Sequence, residues 1–300
     1  MADLRFDGRV AIVTGAGQGL GRAHALDLGA RGAKVVVNDL GGAVDGTGGS
    51  RAPATDVVEE IRKSGGTAVV SADNVATPEG AEAIVQTAIS EFGRVDAVVN
   101  NAGILRDKSF TKMSPDEFDA VLAVHLRGSF LVTHAAWPHL RAQGYGRVVM
   151  TSSPAGLFGS FGQANYASAK MGLVGLAKTL AVEGAKYGIT ANVIAPIAHT
   201  RMTVGILPDE LANGLGPEFV TPLVSYLAHE DCTATGQVYT VGGGRIARVF
   251  VAEGPGWVKK GALAAEDVRD SWDQISAERP QSVSLSAAEW TAGFLGALQG

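Results

Sequence analysis

The sequence predicts a doubly wound α/β fold with a parallel sheet, carried on one domain with a C-terminal extension. Three observations lead there. Short apolar runs alternate with helix-length periodic segments almost to residue 241, the pattern of a strand–helix–strand fold. The runs are nearly continuous Val, Ile and Ala rather than alternating, which suits strands covered on both faces. The first run leads directly into a glycine-rich turn and then a helical segment.

In chain order, the strands are expected at 9–15 (RVAIVTG), 33–39 (AKVVVND), 67–73 (TAVVSAD), 94–103 (RVDAVVNNAG), 146–153 (GRVVMTSS), 189–196 (ITANVIAP) and 236–244 (GQVYTVGGG). Helices are expected at 19–31, 54–65, 78–92, 115–142 and 164–187. Two segments break the rhythm. LGGAVDGTGGSRAP (40–53) is long for a βα connection and reads equally as a flexible insertion or a functional loop. The stretch 245–300 holds Trp257, Trp272 and Trp290, with helical patterns near 265–276 and 286–299. Disordered chain rarely carries that many aromatics. The expected division is therefore 1–244 as the main domain and 245–300 as an extension packing on it or on a neighbouring subunit.

Composition narrows the function classes. The 300 residues carry a net charge of −5 without a long basic block, so neither nucleic acid nor an anionic membrane is the expected partner. A single cysteine, Cys232, and no Cys/His cluster at zinc spacing argue against a disulfide framework and a metal site. The charged start does not resemble a secretory signal, and no apolar window is long enough to span a bilayer. A cytoplasmic location is expected.

The first βα turn, TGAGQGLGRA, does not contain G-x-G-x-x-G but G-x-x-x-G-x-G, at Gly15, Gly19 and Gly21. Gly15 lets the chain turn sharply out of the strand and Gly19 allows backbone to approach a pyrophosphate. Gly21 permits close helix packing, and the helix N-terminus favours negative phosphates. Gln18 and Leu20 belong to the same cradle. Asp39 ends the second strand 18 residues after Gly21, near the spacing of the acid that binds a ribose 2′-hydroxyl. A carboxylate there repels a 2′-phosphate, which points to NAD rather than NADP. Asp73, with Asn74 and Val75, ends the third strand and is placed to reach the adenine edge.

A lone Tyr-x-x-x-Lys, such as Tyr166 and Lys170, is ordinarily a helix-surface pair, since residues four apart meet on any helix. Its company changes that reading. TGxxxGxG at 14–21, NNAG at 100–103, a serine thirteen residues before Tyr166 and Pro196 after the sixth strand together resemble the short-chain dehydrogenase/reductase family, over residues 6 to about 244. The resemblance implies a Rossmann-type domain in which Ser153, Tyr166 and Lys170 do the chemistry. It further implies that Asn101, Ala102 and Gly103 pack under the cofactor and that Thr200, following Pro196, meets the nicotinamide. The family's usual glycine after that proline is Ile197 here. Several segments (VVVNDLGG, NNAGILRDKSF, VHLRGSF, FGQANYASAK) resemble the (3R)-hydroxyacyl-CoA dehydrogenase part of the multifunctional enzyme type 2 subfamily.

For alcohol oxidation a free phenol is a poor base near neutrality. A lysine ammonium beside it, together with the positive nicotinamide ring, is expected to favour the phenolate, with Ser153 holding the substrate oxygen and the cofactor taking hydride, so that no metal is needed. Ser152, adjacent to Ser153, is assigned to packing or capping. His125 stands where most of the family carry an asparagine, and reads equally as a core histidine or a proton-relay group. Arg106, Lys108 and Arg201 are candidates for CoA phosphates, and the apolar LFGSFG (157–162) reads equally as the lining of an acyl or steroid pocket or as a packed loop. The expected function is NAD-dependent oxidation of a (3R)-hydroxyacyl-CoA to the 3-oxoacyl-CoA in lipid metabolism. The alternatives are a 17β-hydroxysteroid or other secondary-alcohol dehydrogenase, a 3-oxoacyl-carrier-protein reductase, and a non-catalytic NAD-binding protein. The family also implies a homodimer or homotetramer through the helices at 115–142 and 164–187.

Overall fold

The computed structural model describes residues 3–200, 214–278 and 282–299. It divides into two compact units, Met1–Arg248 and Val249–Gly300. Seven strands of the first unit, β1 (Val10–Thr14), β2 (Lys34–Asn38), β3 (Thr67–Ser71), β4 (Ala97–Asn100), β5 (Gly146–Thr151), β6 (Ile189–Pro196) and β7 (Val238–Gly242), occur where the apolar runs predict them. They pair in parallel in the order β3-β2-β1-β4-β5-β6-β7. An eighth strand, β8 (Arg245–Val249), closes the edge. It follows β7 through Gly243 and Gly244, both at positive φ, the backbone of a tight hairpin turn. Sequence alternation in so short and exposed a strand is too weak to reveal it.

The helices cover both faces. On one side α1 (Gly19–Ala30), α2 (Ala52–Lys63) and α8 (Thr221–Ala228) bury Leu28, Ile61 and Val224 against Val13, Val37 and Val99. On the other lie α3 (Pro78–Phe92), α5 (Gly128–Gln143) and α7 (Ala164–Gly184). Strands sandwiched in this way need apolar residues at every position, which is why β1 is buried throughout.

Two local departures from the expected elements matter for the site. The helix expected over 115–142 is α4 (Pro115–Leu122) followed by a π-helical stretch, Ala123–Arg127, and then α5. The wider turn carries His125 inward, and π insertions of this kind are common at functional sites. The strand expected over 94–103 is only Ala97–Asn100, because residues from Asn101 turn away to meet the glycine turn. A short helix, α6 (Pro154–Phe158), also follows β5.

The second unit carries α9 (Ala265–Asp270), α10 (Trp272–Ile275) and α11 (Ala287–Gln299). Within it Glu253 and Ser282 exchange backbone hydrogen bonds, the Trp290 indole donates to the Glu253 carboxylate, and Trp290 stacks on Phe294. Among the described residues no helix is long and apolar enough to cross a membrane, and no cluster of His, Cys, Asp or Glu is fit to hold a metal.

Candidate active site

The sheet reverses direction of growth between β1 and β4, and a cleft of about 370 Å³ opens at their carboxyl ends, the switch point where such sheets bind ligands. Its walls include Gly15, Gln18, Gly19 and Leu20 after β1, Asp39 after β2, and Asp73, Asn74 and Val75 after β3. Asn101, Ala102 and Gly103 after β4, together with Thr200 after β6, complete the predicted part of the lining. Gly21 and Pro196 lie outside that lining.

The glycine turn is locked by β4 rather than by its own sequence alone. Asn101 Nδ2 donates to Thr14 O (3.1 Å) and Gly15 O (3.0 Å), while Asn101 N and Ala102 N both donate to Thr14 Oγ1. A Cβ on Gly15 would lie 2.7 Å from Ala102 Cα, and one on Gly21 would lie 2.1 Å from Gly15 O. Gly21 therefore serves helix packing. Gly19 adopts φ +55°, a conformation only glycine takes freely. The first amides of α1 lack intrahelical acceptors, and no Gln18 side-chain cap covers them. These features fit the pyrophosphate of a dinucleotide.

Asp39 has a second task that its spacing does not reveal. Its Oδ2 accepts from Gly17 N and its Oδ1 from Gly41 N, both at 2.7 Å. It thus clips the phosphate turn to the start of the 40–53 insertion. That insertion is an ordered flap: Leu105 N donates to Val44 O (2.8 Å) and Arg106 Nε to Asp45 O (3.0 Å). Leu40, Gly42, Ala43 and Gly46 extend the cleft wall, opposite Ile104 and Arg106. Sequence reasoning left the insertion open, since its partners lie some sixty residues away. Asp73 accepts from Ser71 Oγ (2.8 Å), and its carbonyl accepts from Asn38 Nδ2 (2.9 Å).

The reactive group lies beyond Gly103. A Cβ there would sit 2.3 Å from His125 Cε1, so the cleft floor is pressed against the histidine ring. His125 meets Tyr166 edge-on, with ring centroids 5.2 Å apart. Its Nε2 lies 2.9 Å from Ile104 N and 2.8 Å from Ile104 O, while its buried Nδ1 has no partner. Burial, reinforced by Lys170, holds its pKa well below the usual histidine value, so the ring is neutral.

Tyr166 and Lys170 share one face of α7. Ser153 caps the amino end of α6 and accepts from Ala155 N (3.2 Å), and its hydroxyl is close enough to act on the Tyr166 phenol. Ser152 points elsewhere: its hydroxyl donates to Lys170 O (2.7 Å) and ties β5 to α7. Among the protein's own groups, burial rather than Lys170 dominates the Tyr166 phenol. Burial raises the phenol, and Ser153 offsets this only in part. The reason is where the lysine points. Its Nζ donates to Thr151 O (2.6 Å), 5.5 Å from the Tyr166 ring centre, and burial lowers its own pKa to about 7. Within LFGSFG, Phe158 is 71% exposed and Phe161 92%. Arg201 lies outside the described residues.

A switch-point cleft with a glycine turn is the geometry in which open α/β sheets bind dinucleotides. The chain belongs to the short-chain dehydrogenase family, whose model matches residues 9–210. It is 50% identical to mouse peroxisomal multifunctional enzyme type 2, over 94% of this chain and 39% of that one. It is 43% identical to a hydroxyacyl-CoA dehydrogenase of Mycobacterium tuberculosis, over 84% of this chain and 85% of that protein. Full-length multifunctional enzyme type 2 of Drosophila melanogaster superposes with a TM-score of 0.83 at 40% identity, covering 99% of this chain and half of the other. The chain thus spans half or less of these two multifunctional enzymes.

Proposed function

We propose that this protein oxidises a (3R)-hydroxyacyl-CoA to the 3-oxoacyl-CoA with NAD. The observation that carries the reading is the Ser153–Tyr166–Lys170 cluster lying beyond a cleft whose adenosine end is bounded by the Asp39 carboxylate. Gly15, Gly19 and the amino end of α1 would hold the pyrophosphate, and Asp39 the adenosine ribose, where its charge disfavours a 2′-phosphate. The bound dinucleotide supplies the hydride acceptor.

The protein's own part is proton chemistry at a held oxygen. Ser153 Oγ, beside the phenol, fixes the substrate hydroxyl, and Tyr166 Oη takes its proton as the C–H hydride leaves. Burial alone makes Tyr166 a weak acid, so a neighbouring positive charge must favour the phenolate during turnover. Lys170, poised near neutrality, supplies one when protonated. The coenzyme A and acyl parts of the substrate are inferred from the named relatives. The same reading includes a homo-oligomer. An apolar groove formed by Leu122, Leu126, Phe130 and Leu176, with exposed Met171 and Val182 near it in sequence, would lie against a second copy.

An initial-rate panel tests the assignment. Turnover is expected with (3R)-hydroxyacyl-CoA and NAD, with little for the 3S epimer. Preference for an uncoupled steroid alcohol, or equal efficiency with NADP, would overturn it.

A further inference from the structure

The residue before the tyrosine is unusual for an asparagine. Asn165 is 0% exposed and uses both hydrogens of its side-chain amide. Its Nδ2 donates to Arg106 O (2.9 Å) and to Glu117 O (3.1 Å), and its Oδ1 accepts from Tyr166 N (2.7 Å). The last bond satisfies an amide of the first turn of α7, one of those a helix cannot pair internally. A carboxamide is the one side chain of this length offering two donors and an acceptor together. Aspartate would set a carboxylate against two carbonyl oxygens. Alanine would leave both carbonyls and the amide without this partner.

The partners of Asn165 belong to three different elements. Glu117 is in α4, Tyr166 in α7, and Arg106 in the strap 104–108 that follows NNAG. That strap is held at successive residues: Ile104 by His125, Leu105 by Val44, Asp107 by Gln163 Nε2 (2.8 Å), and Lys108 N by Gly162 O (2.9 Å). Asn165 is the buried centre of this set and also the backbone neighbour of the phenol.

We propose that Asn165 is a positioning residue for Tyr166, fixing where the α7 turn presents the phenol relative to Ser153. It rests on the proposed role of Tyr166 as base. A misplacement of about 1 Å at a reacting group costs on the order of 100-fold in rate, so small shifts of the first turn suffice. Asn165 touches neither substrate nor cofactor in this scheme and acts only through its neighbour.

The test compares Asn165→Ala and Asn165→Asp with wild type. We expect kcat to fall by roughly 10- to 100-fold, while the Kd for NAD, read by quenching of protein fluorescence, changes by less than about twofold. This is because the glycine turn is held by Asn101, not Asn165. Tyrosine labelled with 13C at Cζ, with the resonance assigned by Tyr166→Phe, gives a second readout that needs no substrate. In Asn165→Asp the added negative charge is expected to raise the pH at which Tyr166 titrates by about one unit. An unchanged kcat with only a lower Tm would overturn the proposal, as would a parallel loss of NAD binding and rate. Should either variant fail to fold, Asn165→Ser, which keeps one donor and one acceptor, is expected to retain an intermediate kcat and an altered Tyr166 resonance. A wild-type resonance in that variant would also overturn the proposal. Failure of wild type to turn over a hydroxyacyl-CoA would sink the substrate assignment alone, since the labelled phenol still reports on Asn165.

Discussion

At the nucleotide end of the cleft, shape depends on side chains that are not there. A Cβ at Gly15 or Gly21 would run into backbone of Ala102 or of Gly15 itself, and the contacts that hold the turn run from Asn101 to backbone oxygens. At the reactive end, shape depends on polar side chains held by hydrogen bonds, with Asn165, Lys170 and His125 fully buried among them. The first design resists titration and tolerates little added volume. The second is as tightly filled but responds to charge as well, which is what proton transfer requires.

The largest expected effect separates the two ends outright. Tyr166→Phe should lower kcat by about 1,000-fold, within the range for losing a general base, while leaving the Kd for NAD near its wild-type value. Steady-state rates and a binding titration check both halves. Equal losses in rate and binding would mean that the ends are not independent.

Lys170 sharpens the electrostatic half of the contrast. Its folded pKa of about 7 lies below the ordinary 10.5, so between those values the unfolded chain binds more protons than the native one. Stability must therefore rise with pH across that window, and the penalty is fully present below it. Relative to Lys170→Met, wild type should gain on the order of 3 kcal/mol between pH 7 and 10.5, measured by urea unfolding at several pH values. A flat difference would show that the ammonium is solvated after all.

Gly21→Ala tests the steric half. With Gly15 O only 2.1 Å from the new Cβ, the helix must shift, at a cost of about 2 kcal/mol, seen as a lower Tm together with weaker NAD binding. The smallest effect is expected at Asp39. Asp39→Ala should narrow the preference for NAD over NADP by roughly tenfold, equivalent to about 1.4 kcal/mol. It should also raise protease sensitivity of the 40–53 flap, because the Gly17 and Gly41 amides lose their shared acceptor.

The contrast also explains what the sequence makes legible. The nucleotide end is local: a strand, a turn and a helix within about twenty residues, with glycine spacing as its signature. Seven strands and the Gly15–Gly19–Gly21 turn stand where the pattern of residues puts them. The reactive end is assembled from distant segments. Ser153, Tyr166 and Lys170 announce themselves by spacing and by resemblance. Asn165 does not, because its bonds reach 48 and 59 residues back along the chain. The same distance hides the bond between Arg106 and the flap, and the direction of Lys170 Nζ toward Thr151 cannot be read from an i, i+4 spacing. The π turn around His125 is invisible for a different reason: it changes helical period by a single residue, within the noise of any apolar pattern.

The contact between Gly103 and His125 bears on how this site can change over generations. With 2.3 Å between a hypothetical Cβ at 103 and the imidazole, neither position mutates freely while the other stays as it is. Gly103→Ala is expected to be harmful beside His125 and to become acceptable once residue 125 is smaller, so the order of the two substitutions decides whether a lineage survives the path. The pair is a ratchet: having accepted a histidine at 125, the chain is committed to glycine on the cleft floor.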